Sequence, residues 1–162
     1  MTLRVYIAGP DVFRADAGAW ADEVRALCAA HGCEALVPLD GAHATPEAIY
    51  TSNVELIRRA DAVLANLNPF RGAEPDSGTC FEVGFAVALG KRVVGYMASG
   101  ESIAARVTRM QGSASGAGPI DAQGMHVENF GLPLNLMLAV PANIVIGDIR
   151  DALRALMGAR NP

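Results

Sequence analysis

Short apolar runs alternate with amphipathic segments along most of the chain. Residues 3–8, 34–39, 61–67 and 92–97 are brief, apolar and mostly bounded by Gly, Pro or polar residues, a pattern typical of buried strands. A similar run at 143–148 predicts a fifth strand. Because these runs are too short for helices and lack strict alternation, we expect strands covered on both sides.

Helical periodicity fills the gaps between these runs. Apolar positions recur at helical spacing over about 15–30 and 45–60, near 79–89, and over 149–158. Strands separated by helices predict an α/β fold, a doubly wound sheet of about five parallel strands with helices on both faces. The length of 162 residues predicts a single domain over 1–162.

One segment interrupts the alternation. Residues 98–128 are rich in Gly, Ser and Ala and hold few large apolar side chains, which predicts a variable, mobile or functional loop excursion. The apolar stretch that follows begins with turn residues, and a short helix is expected to start at Pro133.

Charge and cysteine usage exclude several classes of partner. The net charge is −4 and no cationic cluster exceeds Arg58-Arg59, which argues against a polymeric nucleic acid. No apolar stretch reaches membrane-spanning length, and no signal-peptide pattern is recognisable. Three cysteines without zinc spacing favour a reducing, cytoplasmic location, and no motif indicates a metal or organic cofactor.

The candidate site follows from the sheet. In open parallel sheets ligands bind beyond the carboxyl ends of the strands. This rule selects Gly9, Pro10 and Asp11 after the first strand, and residues 66–76 after the third. Glu82 lies near the start of the next helix, and its side chain leans back toward the same edge.

Glu82 is the most informative of these residues, because it interrupts an apolar run. A carboxylate there is costly unless it is paired, hydrogen-bonded or used. The helix dipole or Arg71 could stabilise it, or it could act as a nucleophile or general base. Asp76 could bind a sugar hydroxyl, support Glu82 or move a proton, or simply cap the helix.

Four stretches together resemble the nucleoside 2-deoxyribosyltransferases. They are YIAGPDVF (6–13), NVELIRRADAVLANL (53–67), PFRGAEPDSGTCFEVGFAVALGK (69–91) and NFGLPLNLML (129–138). The resemblance runs from the first strand to past Leu138 in one order and omits mainly 98–128. Its most specific elements are the pattern D-x-G, three residues, E-x-G, preceded by Y-x-A-G-P and followed by F-G-L-P-x-N-L-M-L.

The resemblance implies a flavodoxin-like sheet and transfer of a 2′-deoxyribosyl group between nucleobases. Glu82 would be the nucleophile of a retaining double displacement through a glutamyl-deoxyribose intermediate, with slow hydrolysis as a side reaction. Asp76 would lie in the sugar and catalytic site, and Tyr6 would orient Glu82. The substrate-binding residues implied are Gly9, Pro10, Asp11, Phe13, Asn53, Gly78 and Asn135.

The resemblance also implies partners. The substrates would be deoxynucleosides and free nucleobases, and no cofactor would be needed. Family members form dimers or trimers of dimers, so Asn135 is expected to contact the sugar in a neighbouring subunit's site of a homo-oligomer.

The chain departs from some family members at one position. Asn53 stands where they carry an aspartate that is proposed to handle protonation of the base. Because an amide cannot donate an acid proton in the same way, Asp76, Asp11 or a water are the remaining candidates.

Two other functions stay open on the sequence. A deoxynucleoside 5′-monophosphate N-glycosidase would share the fold and the glutamate chemistry but needs phosphate donors, for which Arg14 and the Ser-rich segment 113–115 are candidates. A non-catalytic nucleotide-binding or signalling module would leave Asp76 and Glu82 without a role.

Overall fold

A parallel sheet forms the centre of the molecule. The computed structural model describes residues 2–40, 45–112 and 119–158. Within these ranges five parallel strands pair in the order β2-β1-β3-β4-β5. They are β1 (Leu3–Ala8), β2 (Cys33–Leu36), β3 (Ala62–Asn66), β4 (Arg92–Met97) and β5 (Asn143–Ile146).

Helices cover both faces of this sheet. They are α1 (Ala17–Ala30), α2 (Pro46–Arg59), α3 (Ser77–Ala88), α4 (Ile103–Gln111), α5 (Leu136–Ala139) and α6 (Ile149–Gly158). The apolar sides of α1 and α6 pack on one face of the sheet, and those of α2, α3 and α5 pack on the other. No helix in the described ranges combines the length and the apolar composition that a membrane crossing requires.

The strand order defines where a ligand can bind. β1 pairs with β2 on one side and with β3 on the other, so the chain leaves the sheet in opposite directions from β1 and β3. A crevice opens at this switch point, beyond the carboxyl ends of the two strands. The order and the three layers confirm the predicted flavodoxin-like α/β fold.

A glycine in β4 fixes the segment that leaves β3. Leu67 follows β3, is fully buried and packs where the side chain of any other residue at position 95 would stand. Gly95 therefore lets Leu67 turn inward directly after β3. The segment after Leu67, which carries Asp76, therefore leaves the sheet at a fixed position.

The excursion at 98–128 is more ordered than its composition predicts. It contains α4, which Ser102 caps by accepting a hydrogen bond from the amide of Ala105 at 3.3 Å, and a bridge between Ile120 and His126. Residues 113–118, and with them the Ser-rich segment 113–115, lie outside the described ranges. The helix expected at Pro133 begins instead at Leu136, because Asn135 caps it.

Candidate active site

A cleft of about 390 Å³ opens at the switch point. The ends of β1 and β2 border it on one side and α2 and α3 on the other. Its described lining consists of Gly9, Val12, Phe13, Pro38, Leu39, Ile49, Asn53, Asp76, Gly78, Thr79 and Glu82. Six of the ten site residues predicted from the sequence line the cleft: Gly9, Phe13, Asn53, Asp76, Gly78 and Glu82.

Glu82 lies at the inner end of this cleft, in the second turn of α3. Its Oε1 accepts a hydrogen bond of 2.5 Å from the Tyr6 hydroxyl of β1. Burial raises the pKa of the Glu82 carboxyl to about 7, and the charge of Asp76 adds to this effect, whereas the Tyr6 hydrogen bond opposes it. Near neutral pH the carboxyl is therefore present in both its protonated and its ionised form.

Tyr6 donates a hydrogen bond to Glu82 from the core side of the cleft. Its ring is fully buried in the core, and only its hydroxyl reaches the carboxylate. Burial raises the pKa of the Tyr6 phenol far above its ordinary value, and the neighbouring charge of Glu82 raises it further. The phenol therefore stays protonated and remains a hydrogen-bond donor whenever Glu82 is ionised.

Asp76 caps α3 with one of its two carboxylate oxygens. As the N-cap of α3 it accepts hydrogen bonds through Oδ2 from the amide (2.9 Å) and the hydroxyl (3.0 Å) of Thr79. Its Oδ1 accepts no hydrogen bond from the part of the chain that the structure describes. The helix cap suggested by the sequence is present, and one carboxylate oxygen remains available to a ligand.

Asn53 brings an amide to the opposite wall of the cleft. Its Oδ1 is buried and, among the described residues, has no hydrogen-bond partner. Leaving a buried acceptor unpaired costs roughly 1–3 kcal/mol. Rotation of the amide about its Cβ–Cγ bond turns either the oxygen or the N–H group toward the cleft, so a ligand can relieve this cost.

An aromatic stack separates this cleft from a second cavity. The rings of Phe13 and Phe70 are stacked with centroids 5.7 Å apart, and the Arg71 guanidinium lies over both rings at 5.3 and 4.6 Å. Arg71 has a φ of 56°, a left-handed conformation that is uncommon for arginine. The Arg71 guanidinium therefore stabilises the Phe13 side of the cleft. The pairing of Arg71 with the Glu82 carboxylate, which the sequence allowed, is not formed.

Two other predicted residues lie beside the cleft and do not line it. Asp11 accepts a hydrogen bond of 2.7 Å from Asn66 Nδ2, and Asn66 Oδ1 in turn accepts one of 2.8 Å from Asn68. Pro10 opens the short 3₁₀ helix that contains Asp11. This network joins the ends of β1 and β3 and shapes the floor on which Gly9 lies.

Asn135 is placed apart from Glu82. It borders the second cavity, of about 500 Å³, together with Phe70, Arg71, Glu74 and Glu128. Its Nδ2 donates to Glu128 Oε2 at 3.0 Å, and its Oδ1 accepts from the Met137 amide at 3.0 Å. Within one copy of the chain, the late motif does not reach the cleft.

Several cleft residues were not foreseen as site residues. Pro38 and Leu39 follow β2, and the strand-end rule that selected Gly9 applies to them equally. Ile49 and Thr79 lie on helices that face the cleft, and only the packing of α2 against α3 reveals this position. Pro38, Leu39 and Ile49 give the cleft an apolar side, and Thr79 donates two hydrogen bonds to Asp76.

The charge of the cleft is negative. Asp76 and Glu82 line it, and among the residues that the structure describes no lysine, arginine or histidine does. Nor do the described residues contain a group of three or more His, Cys, Asp or Glu side chains arranged to hold a metal ion. The cleft thus offers carboxylates, one amide and apolar surface to its ligand.

The fold and the cleft together define an α/β protein with a cleft of small-molecule size at the carboxyl edge of its parallel sheet. The family model of nucleoside 2-deoxyribosyltransferases matches residues 5–137. The chain belongs to this family, and the resemblance inferred from the four sequence stretches is confirmed.

Individual relatives agree with this assignment. A 2-desoxiribosyltransferase from Leishmania mexicana is 36% identical in sequence, with a TM-score of 0.82 over 98% of this chain and 99% of that one. An uncharacterized protein of Schizosaccharomyces pombe is 30% identical over 82% of this chain and 74% of its own length. The family model and the Leishmania mexicana enzyme support nucleoside deoxyribosyltransferase-type activity.

A more distant structure shares the fold alone. The CMP N-glycosidase from Clostridium botulinum is 15% identical, with a TM-score of 0.52 over 94% of this chain and 97% of that one. At this distance the likeness concerns the arrangement of strands and helices and carries no information on substrate.

Proposed function

We propose that this enzyme moves a 2′-deoxyribosyl group between nucleobases by a retaining double displacement through Glu82. One observation carries the proposal: a half-buried carboxyl whose pKa is raised to about 7 lies in the cleft, hydrogen-bonded to Tyr6 and close to Asp76. A strongly perturbed carboxyl in a cleft is characteristic of catalytic groups.

The first displacement releases one base. A carboxylate oxygen of Glu82 forms a bond to C1′ as the C1′–N bond breaks, and that bonding pair leaves with the base, which takes up a proton. The sugar is then held as a glutamyl ester. Burial of Glu82 favours this step, because a carboxylate that is poorly hydrated is a stronger nucleophile.

The second displacement restores the enzyme. A nitrogen of the incoming base attacks C1′ and loses a proton, and the ester bond breaks to return the Glu82 carboxylate. Two inversions at C1′ give net retention, as in retaining glycosidases. Water in place of the base gives slow hydrolysis, which the apolar cleft wall of Leu39 and Ile49 disfavours.

Asp76 is better placed than Asp11 to exchange the proton with the base. Asp76 lines the cleft and has a free oxygen, whereas Asp11 lies beside the cleft and is bonded to Asn66. Asn53 would then bind the base through its unpaired amide. Gly9, Phe13 and Gly78 complete the proposed substrate surface, and Pro10 lies beside the cleft.

The alternative, a hydrolase of deoxynucleoside 5′-monophosphates, is less well supported. A phosphate dianion requires cationic or N–H donors, and the described lining of the cleft supplies two carboxylates instead. Arg14, the candidate phosphate ligand of the sequence, is exposed and paired with Asp16 at 2.9 Å. The other candidate, segment 113–115, lies outside the described residues.

A base-exchange assay tests the proposal. The purified protein is incubated with 2′-deoxyinosine plus adenine, and separately with thymidine plus adenine, beside the Glu82→Ala variant, and products are separated by chromatography. We expect new deoxyadenosine that is absent with the variant. Free base without a new nucleoside, or activity only on a deoxynucleoside monophosphate, would favour the hydrolase.

Removal of the Tyr6 hydroxyl should shift the pH dependence of this reaction. Glu82 must be ionised to attack, so kcat/KM should rise with pH around a midpoint near 7. Tyr6→Phe removes a hydrogen bond to the charged form, worth roughly 1.5–3 kcal/mol, and should move this midpoint upward by about one to two pH units. The pH–rate profile measures it.

Tyr50→Phe is the matched control, because Tyr50 is exposed and contacts Phe81 rather than Glu82. Its profile should coincide with that of the wild type. An unshifted midpoint in Tyr6→Phe would show that the phenol does not tune Glu82.

We also propose that the working enzyme is a homo-oligomer in which Asn135 completes a neighbour's site. Two observations support this arrangement. Asn135 lies outside the cleft of its own chain, and the adjacent Phe130, Met137 and Val140 are 69%, 73% and 74% exposed. Apolar side chains exposed to this extent around one polar residue suit a subunit contact.

Mixing two inactive variants tests this sharing of residues. Asn135→Ala and Glu82→Gln chains, each with little transfer activity alone, are dissociated and reassembled together. Hybrid oligomers contain sites that combine an intact Glu82 with a neighbour's Asn135, so activity should return in the mixture. If the mixture stays as inactive as its components, each site is built from one chain.

Three further features of the proposal rest on the sequence. Residues 1–162 are proposed to act as one domain, and the partners are small deoxynucleosides and nucleobases rather than nucleic acid polymers. A cytoplasmic location is proposed from the odd number of cysteines and their lack of zinc spacing.

A further inference from the structure

Helix α4 buries a charged side chain at a distance from the cleft. The residue Arg106 is 1% exposed, although arginine is rarely buried to this extent. Its Nη1 donates to the carbonyl of Ala73 at 3.0 Å, and its Nη2 donates to the carbonyls of Glu101 and Pro133 at 2.9 and 3.0 Å. The carboxylate of Glu101 lies 3.8 Å from Nε and balances the charge.

The three carbonyls belong to segments that neither a helix nor a strand organises. Ala73 lies three residues before Asp76, and Pro133 lies two residues before Asn135. The planar guanidinium donates the hydrogen bonds that a helix or a strand would otherwise supply to these three carbonyl groups. Through it, the loop that leads to the cleft and the segment that leads to the late motif are held to one helix.

The link from Ala73 to Asp76 is short and stiff. Pro75 is buried and has a restricted φ, and Asp76 is then fixed by its cap on Thr79. A displacement of Ala73 would thus be transmitted to the Asp76 carboxylate rather than absorbed in a flexible loop. The corresponding link on the other side is the pair of Glu128 hydrogen bonds to Asn135 and to the Leu136 amide.

We propose that Arg106 is a positioning residue of the transfer reaction, which sets Asp76 in its own cleft and Asn135 toward the neighbouring one. This inference rests on the proposed function. Packing alone does not require a charge here, because Ala73, Ile103, Val107 and Val127 already form an apolar cluster around the helix. A buried charge is weak evidence for stability, whereas a guanidinium fork fixes geometry.

The variants Arg106→Lys and Arg106→Gln test the proposal, and Arg109→Gln is the control. Arg109 lies on the same helix, and its side chain is 62% exposed and pairs with Glu101 at 2.8 Å. The measurements are kcat and KM of base exchange, the pH–rate profile, the thermal midpoint and the mass of the oligomer in solution. Lysine retains the charge and N–H donors, so a folded protein is expected, but its single nitrogen cannot reproduce the fork.

We expect kcat of Arg106→Lys to fall roughly 10- to 100-fold with a smaller change in KM, because a small displacement of Asp76 suffices. The midpoint of its pH–rate profile should also move, since Asp76 contributes to the environment of Glu82. Arg109→Gln should retain the wild-type values of all these parameters.

The other outcomes overturn the inference. Arg106 variants that melt earlier but keep the wild-type kcat and pH profile would show a structural role only. Failure of both Arg106 variants to fold would show the same. A wild-type protein that exchanges no base would refute the proposed function itself, a result visible before any variant is compared.

Discussion

Replacement of Glu82 by glutamine is expected to lower the rate of base exchange by at least about 10³-fold, because the amide cannot form the ester to C1′. The side chain keeps its shape and can still accept the hydrogen bond from Tyr6. The loss should therefore fall on the chemical step. Initial rates by chromatography measure it, and mass spectrometry of the denatured protein should show a deoxyribosyl adduct on the wild type only.

Glu55→Gln is the matched control for this substitution. Glu55 is exposed on α2 and makes a 3.6 Å ion pair with Arg58, so the same chemical change there should leave exchange unaffected. Exchange by Glu82→Gln within tenfold of the wild type would contradict the assignment of Glu82 as the nucleophile.

The same variant should change how stability depends on pH. The pKa of Glu82 is about 7 in the folded chain and near 4.5 in the unfolded one, so the folded state binds its proton more tightly. The stability that this proton contributes is complete below about pH 4.5 and is lost as pH rises through 7, at most about 3 kcal/mol. Denaturant unfolding of Glu82→Gln should lack this component.

The second large effect is expected at Asp76, where two substitutions separate the helix cap from the chemistry. Asparagine caps a helix as well as aspartate does but carries no charge. Asp76→Asn should therefore retain the thermal midpoint, while kcat falls roughly 100-fold through loss of the group that exchanges the proton. Asp76→Ala should lose the same activity and, in addition, about 1 kcal/mol of stability.

Thr45→Ala provides the control for the cap. Thr45 caps α2 by accepting a 3.2 Å hydrogen bond from the Ala48 amide, and it does not line the cleft. Its loss should lower the thermal midpoint and leave kcat unchanged. If Asp76→Asn were as active as the wild type, the role of Asp76 would be confined to the helix cap.

The sequence predicts the parts of this structure that depend on local pattern. β1 and β4 have the predicted bounds, since each is a short apolar run with a turn on either side. The convergence of Tyr6, Asp76 and Glu82 was also foreseeable, because strand ends and the following helix start meet at one edge of a parallel sheet. The structure adds the contact itself, a hydrogen bond from the Tyr6 hydroxyl to Glu82.

The remainder depends on contacts between distant segments. Helix α4 was missed because its inner face buries Arg106, and the carbonyls that satisfy this guanidinium have no signature in the sequence. Arg71 stacks on two rings rather than pairing with an acid, a choice that charge alone cannot decide. Helix α5 begins at Leu136 rather than at the predicted Pro133, because its N-cap is Asn135 and the sequence contains both signals for a helix start.

The Tyr6–Glu82 hydrogen bond has a consequence for folding. Its partners are 76 residues apart in sequence, so the chain must close a long loop, with β1 inside the sheet and α3 docked on it, before the bond can form. Contacts of such long range are formed late and slowly. During refolding, the return of enzymatic activity should therefore lag behind the return of helical circular dichroism and report the docking of α3.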